Sequence, residues 1–303
     1  MLATILRQLD LPNLPSASGV EIVGDTVYII GDDSPYLYRF TATDLVPGKP
    51  LTLFETAHFS SGRIDKAIKA DLECLTTLTT ATGEMGLLVC GSGATAAREN
   101  GFWVPLSPTQ GEAATVHPVS LSGLYAQLRT LLPAGATLNL EAAAATDTEL
   151  LLFQRTVGST AGNLVFRMPL AATLDFLHHR STQLPTVRPQ FFQLPNIKGK
   201  PAGFSGACTY EDKLFITASV EDTADAILDG EVLGSFVGLL DLDQPANKPV
   251  SFAQLQLAGG KPYTGKVESV AIRRRLAPGR YELLLVTDDD QGGSTAVLVE
   301  VTV

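Results

Sequence analysis

The chain has 303 residues, 18% of them charged, and a formal net charge of −10 with a sequence pI near 4.9. An acidic balance of this size argues against nucleic acid and anionic membrane as partners. No apolar run approaches the ~20 residues of a spanning helix. The first fifteen residues, MLATILRQLDLPNLP, interrupt their apolar positions with charge and polarity, so they do not read as a secretory leader and a cytoplasmic location is the expectation. Cys74, Cys90 and Cys208 are odd in number and lie inside apolar patterns, as buried free thiols do.

Residues 3–11 are strand-like. The stretch 16–40, SASGVEIVGDTVYIIGDDSPYLYRF, then sets out a unit of three short strands over 18–23, 26–31 and 36–40. Val, Ile, Tyr and Phe bounded by Gly, Asp, Ser and Pro is the composition of strands joined by tight turns. Its opening returns at Glu73-Cys74-Leu75, Glu141-Ala142-Ala143, Ser205-Gly206-Ala207 and Glu268-Ser269-Val270, spaced 55, 68, 64 and 63 residues apart. Second strands follow at 86–90, 149–154, 213–217 and 281–287, and third strands at 101–106, 163–168, 235–242 and 295–303. Fourth, outer strands fit at 50–56, 114–120, 190–194 and 250–257. The last unit ends after its third strand, and residues 3–11 supply the strand it lacks. Repeats of four strands that close on themselves are the pattern of a β-propeller. The chain is therefore read as all-β, one five-bladed propeller domain over 1–303, with its N-terminal strand closing the last blade; a six-bladed count would need a unit that the sequence does not show. Two inserts read as helices, 121–132 and 169–179, the second opened by Pro169. The stretch 221–232 interrupts the fourth unit between its second and third strands.

In a propeller the first strand of each blade lines the central channel, so Ser18, Glu73, Glu141, Ser205 and Glu268 converge on one axis. Three carboxylates meeting there repel one another and are costly to desolvate. Lys266 is the one basic residue within two positions of any of them, so a bound cation is the expected neutraliser. A donor set of oxygens alone selects Ca²⁺ rather than zinc. The second strand of each blade returns to the same face. That face gathers Asp32, Asp33, Ser92, Arg155, Glu221, Asp222 and the run Asp288 to Asp290 into an acidic mouth.

With those residues in place, the chain resembles the calcium-activated nucleotidases, or apyrases. The resemblance lies in the ordered set Ser18-Gly19 with Asp32-Asp33 and Tyr38, Leu140-Glu141-Ala142-Ala143, Gly203-Phe204-Ser205 with Glu221-Asp222, and Val267-Glu268. It implies a five-bladed propeller with a central calcium held by Ser, Glu, Glu, Ser and Glu in blade order. The chain departs from that family at Ser34, where the family has arginine, and in the loop 91–101, which offers Arg98 and no tryptophan. It is similar, more distantly, to bacterial propellers grouped with esterase-like phytase domains.

The expected function is that of a calcium-binding hydrolase acting on a phosphate-containing small molecule at the channel mouth. Asp32 or Asp33 would be the general base and Arg155 would stabilise developing charge. Arg98, Glu221, Asp222 and Asp288 are the expected substrate contacts. A non-enzymatic propeller with a structural calcium is the alternative. A glycoside hydrolase is a third reading, which would need paired carboxyls and aromatic platforms.

Overall fold

In the computed structural model, the described residues are 1–106, 115–156, 163–222, 230–243 and 250–303. The chain opens on β1 (Leu2–Asp10) and then builds sheets of consecutive antiparallel strands. The first sheet is β2 (Ala17–Val23), β3 (Thr26–Gly31), β4 (Tyr36–Thr41) and β5 (Leu51–Thr52). The second is β6 (Leu72–Thr79), β7 (Met85–Gly91), β8 (Asn100–Pro105) and β9 (His117–Ser120). The third is β10 (Leu140–Ala145), β11 (Glu149–Gln154), β12 (Asn163–Pro169) and β13 (Arg188–Phe192).

A two-residue hairpin, β14 (Asn196–Ile197) and β15 (Lys200–Pro201), leads into β16 (Gly203–Tyr210), β17 (Lys213–Glu221), β18 (Val232–Leu240) and β19 (Ser251–Gln256). The last strands are β20 (Lys266–Ala277), β21 (Arg280–Asp288) and β22 (Ser294–Thr302). The two helical inserts are α1 (Ser122–Thr130) and α2 (Leu170–Leu177), each a residue or more shorter at both ends than the pattern suggested. Of the predicted outer strands, 50–56 contracts to β5, residue 114 lies outside the described residues, and most of 221–232 lies outside them too.

The inner strands β2, β6, β10, β16 and β20 pack side by side in a ring, each against the next and β20 back against β2. The fold is a β-propeller. Its core is the space between sheets: each apolar cluster draws its residues from two successive sheets. Ile30, Leu37, Leu72 and Val89 fill the gap between the first and second, and Phe153, Val165, Phe204 and Ile216 that between the third and fourth. Cys74, Cys90 and Cys208 are free and buried in these layers. Wholly buried rings such as Phe153, Phe204 and Tyr281 contribute roughly 1.5–3 kcal/mol each by burial.

The ring is crowded at the centre, and glycine marks the tightest places. A Cβ on Gly206 would lie 2.6 Å from the Cα of Ser269 on the neighbouring inner strand, and one on Gly19 would meet Leu75 at 2.9 Å.

Closure runs through β1. It pairs antiparallel with β22 from Leu2↔Thr302 to Asp10↔Thr295, and so completes the last sheet as its outer strand. It also makes a short parallel pairing with β19, Ala3↔Leu255 and Thr4↔Gln256, joining two four-stranded units edge to edge into eight hydrogen-bonded strands. Deleting residues 1–10 removes both pairings and uncovers the layer under Ala3 and Ile5. The thermal midpoint, followed by circular dichroism, is expected to fall by more than ~10 °C, as loss of several kcal/mol would give; an unchanged midpoint would show that the ring holds without its seam.

Candidate functional site at the channel mouth

Every inner strand carries a β-bulge, and in every one the extra residue is the position singled out from the sequence. Pairing steps from Ala17↔Gly31 to Gly19↔Ile30 and skips Ser18. Likewise it skips Glu73 between Leu72 and Cys74, Glu141 between Leu140 and Ala142, Ser205 between Phe204 and Gly206, and Glu268 between Val267 and Ser269. A bulge leaves its extra residue unpaired and re-aims its side chain. Here it turns five residues out of the ladders at the same level of the ring.

Just beyond the bulge each hairpin gives two more positions, one from each strand: Ser16 with Asp32, Asp71 with Ser92, Asn139 with Arg155, Gly203 with Ser219, and Lys266 with Asp288. These positions form the floor of the mouth.

The carboxylates are drawn together as expected, but the protein brings its own cations to most of them. Arg155 lies between Glu141 (3.4 Å) and Glu221 (2.5 Å), and all three are buried. Lys266 reaches Glu268 at 3.1 Å, Asp290 at 3.0 Å and Glu221 at 3.7 Å. Lys69 bonds Asp32 and sits 2.9 Å from Asp71, which also takes Arg98 at 2.7 Å and the Ser92 hydroxyl. Ser18 donates to the Leu72 carbonyl at 2.5 Å and Ser205 to Thr217 at 3.2 Å.

Two members of the expected ligand shell of Ser18, Glu73, Glu141, Ser205 and Glu268 thus have protein cations beside them. Arg155 lies against Glu141 and Lys266 against Glu268, and each cation is shared with further acids. Glu73 is instead the member that converges with Asp32 and Asp71, with ligand oxygens all within 4.8 Å of one another.

Acids still outnumber bases here, and the balance shows in their affinities for protons. Burial, partly offset by Lys69 and reinforced by Asp33 and Asp71, pushes Asp32 up to about 7. Burial, against the pull of Lys266, pushes Glu268 up to about 8. Glu73 is held well above the usual carboxylate range by burial and then by Asp71 and Glu141. Burial would lower the Lys69 and Lys266 ammoniums, but their carboxylate partners raise both.

Above this floor lies a cavity of about 550 Å³. Asp32, Asp33, Lys69, Lys266, Asp288 and Asp290 line one side, and the segment 57–68 lines the other. Burial, only partly countered by Lys266, pushes Asp288 up to about 6. Asp33 is buried; its Oδ2 accepts from Arg63 at 2.5 Å and from Ser16 at 3.2 Å, while Oδ1 has no partner, and the same is true of Asp32 Oδ1.

Of the residues expected in the mouth, Asp32, Asp33, Asp288 and Asp290 line the cavity. Arg155 and Arg98 do not: both are buried ion-pair partners beneath it, so neither is placed to meet a phosphate. Glu221 is buried against Arg155, and Asp222 pairs with Lys200 at 2.5 Å, away from the lining. No Trp, Tyr or Phe lines the cavity among the described residues, which removes the aromatic platform a sugar site would need.

Sequence reasoning missed Arg63, Lys69 and Asp71. Asp71 had a signal, since it stands two residues before Glu73 as Ser16 stands before Ser18, both with positive φ (52° and 46°).

A ring of inner strands with bulged polar residues aimed at a charged channel mouth defines a β-propeller with a polar, mixed-charge axial site. The chain belongs to a family described as a family of unknown function, DUF6929, whose profile matches residues 13–303. No curated protein matches the sequence. Among solved structures, the glutaminyl cyclase of Myxococcus xanthus superposes with a TM-score of 0.51 at 10% identity, covering 100% of this chain and 98% of that one. The β-propeller domain of Cps50 (Swd1) from Myceliophteria thermophila gives 0.41 at 8% identity, covering 96% and 99%. The Bacillus subtilis arabinanase Arb43A gives 0.39 at 10% identity, covering 96% and 95%. At these identities only the first likeness speaks, and it speaks of the fold.

Two variants probe the charge pattern. Arg155→Met strands Glu141 and Glu221 in a buried site and is expected to cost about 3–5 kcal/mol in urea unfolding; a cost below 1 kcal/mol would mean that the triad is not what holds these acids. Glu21, farther along β2, accepts the Thr77 N–H at 2.9 Å, and desolvation pushes it from 4.5 up to about 7. An acid whose folded pKa is raised releases its proton first in the unfolded chain, so stability is lost as pH rises from about 4.5 to about 7. Glu21→Gln should match wild type below that window and melt higher above it. A constant difference across the pH range would refute the assignment.

Proposed function

We propose that the chain is a five-bladed propeller whose mouth is a hydrolytic site for a small phosphate-bearing molecule, assisted by calcium. The observation that carries this reading is the convergence of Asp71 and Glu73 on Asp32, which lines the cavity and has a buried oxygen without a partner. The residues fit the ion: the donors are hard oxygens, and the acids exceed the cations around them. Calcium bound there would supply positive charge against a phosphoryl oxygen.

The remaining roles fall to the protein's own groups. Lys266, fixed by its acid partners, presents ammonium charge to the cavity for a phosphate. Asp288, pushed up to about 6, is ionised at neutral pH yet basic enough to take a proton from water, which makes it the preferred general base. Asp33, tied to Arg63 and Ser16, holds the wall of the site. The cations that line the cavity favour an anionic ligand, and the lack of aromatic lining disfavours a sugar.

A second reading has its own observation. Glu141 and Glu268 are compensated within the fold, so a calcium-free, non-catalytic propeller that binds a partner at its mouth is the alternative.

Thermal melts separate the two. At a hundredfold excess of calcium over its Kd, wild type should melt roughly 5 °C higher than in chelator. Glu73→Gln should abolish the shift, and Glu141→Gln, whose acid is already paired, should keep it. Loss in the second variant with retention in the first would move the ion back to the axis; no shift in wild type would remove calcium from the reading. Turnover of phosphate esters in calcium, absent in Asp288→Asn, tests the hydrolase itself.

A further inference from the structure

The crossover from the first sheet to the second, residues 53–71, leaves the outer strand β5 and passes over the mouth before entering the inner strand β6. Residues 57–58, 60–61, 63–66 and 68–69 of this strap line the cavity. Between 55 and 68 only Ile64 is buried, so apolar packing does little to hold the strap down. Polar tethers do that work, and they end on the groups the ligand would need. Arg63 Nε binds Asp33 Oδ2 at 2.5 Å and its Nη2 donates to Ser16 at 3.2 Å. The Ile64 N–H donates to the Asp33 carbonyl at 2.8 Å. Lys69 bonds Asp32 and lies 2.9 Å from Asp71, and the Lys66 carbonyl accepts from Arg98 at 3.2 Å.

We infer that the strap is an autoinhibitory latch: Arg63 and Lys69 occupy Asp33, Asp32 and Asp71 as built-in counterions, and a bound cation competes with them and frees the strap. The inference rests on the proposed reading of Asp32, Asp71 and Glu73 as the cation's ligands. Its physical basis is a matching of charge. The two strap cations come from one segment of chain, six residues apart, and cover Asp32 and Asp33 at the end of the β3–β4 hairpin, Lys69 also reaching Asp71 at the strap's own end. Asp33 is only 2% exposed while Arg63 is 43% exposed, so the acid is fixed in the wall and the cation is the partner free to leave. A segment with one buried apolar residue, tethered midway by one partly exposed ion pair, opens at a fraction of the global unfolding free energy. Cation binding and strap opening then stand in linkage: each favours the other by the same factor.

Hydrogen exchange on the full-length protein reads the strap directly, with amides of 54–68 as the reporter and β7 and β17 as controls. In chelator, Arg63→Gln and Asp33→Asn should each speed strap exchange roughly two- to fivefold, the factor that one partly exposed ion pair supports, with the controls unmoved. Calcium chloride, against sodium chloride of equal ionic strength, should speed strap exchange in wild type and change it little in Arg63→Gln, and Arg63→Gln should bind calcium more tightly by calorimetry. Unaltered strap exchange in both variants overturns the latch. Tighter protection of the wild-type strap on calcium binding overturns the competition. Faster exchange in the variants with no calcium binding in any protein would leave the latch standing as a closed strap, overturn its competition with a cation, and refute the calcium reading separately.

Discussion

Everything at the mouth depends on one backbone irregularity repeated around the ring. A regular strand alternates its side chains, so a residue facing the channel would be followed by one facing the next sheet. By skipping Ser18, Glu73, Glu141, Ser205 and Glu268, the inner strands break that alternation at a single level. Below the bulge the strands return to packing between sheets, where Val20, Leu75, Ala143 and Val270 are buried. Above it the chain is released to carry polar groups. Packing and chemistry are thus separated by one residue per strand, and the polar ring does not interrupt the apolar layers beneath it.

Once the acids are gathered, electrostatics shapes the rest. The mouth divides into two arrangements with different consequences. On one side Arg155 and Lys266 knit Glu141, Glu221, Glu268 and Asp290 into a network that is nearly closed on itself. On the other side Asp32 and Asp71 share the ammonium of Lys69, Asp71 also takes Arg98, and Glu73 converges with them. Both sides hold more acids than cations, and the second is the one whose carboxylate oxygens gather within 4.8 Å of one another. The difference between them comes from a loop, because Lys69 arrives from the strap and Arg155 from the end of a strand.

Much of this was legible from the residues because it is periodic. Ser or Glu before Gly, Cys, Ala or Ser, followed by an apolar residue, marks the bulge because the crowded ring admits only a small side chain there, as Gly19 and Gly206 show. The strand that completes the last sheet was legible because that unit lacked one. Of the sources of positive charge, Lys266 was legible beside Glu268, and Lys69 and Arg63 were not. Lys69 lies four residues from Glu73 along an irregular segment. Arg155 looked like a free mouth residue because its partner Glu221 belongs to the next sheet, 66 residues away. Counting bases within two positions of each acid measures neighbours along the chain, whereas the channel selects neighbours across it.

The pairing of β1 with both β22 and β19 also concerns how the fold is reached in time. Ala3 finds its partner in Val301, at nearly the greatest sequence separation the chain allows, and finds Leu255 on its other side. Strand β1, which precedes both partners in the chain, thus stays without them until β19 and β22 have been made. Contacts this distant carry a large loop-closure cost and slow the approach to the native state. Until that moment β19 keeps an open edge, and Leu2 and Leu6 lie on a strand with nothing to hold it. The closing step, rather than the formation of any single sheet, sets the period during which a newly made chain is exposed to mispairing with its neighbours.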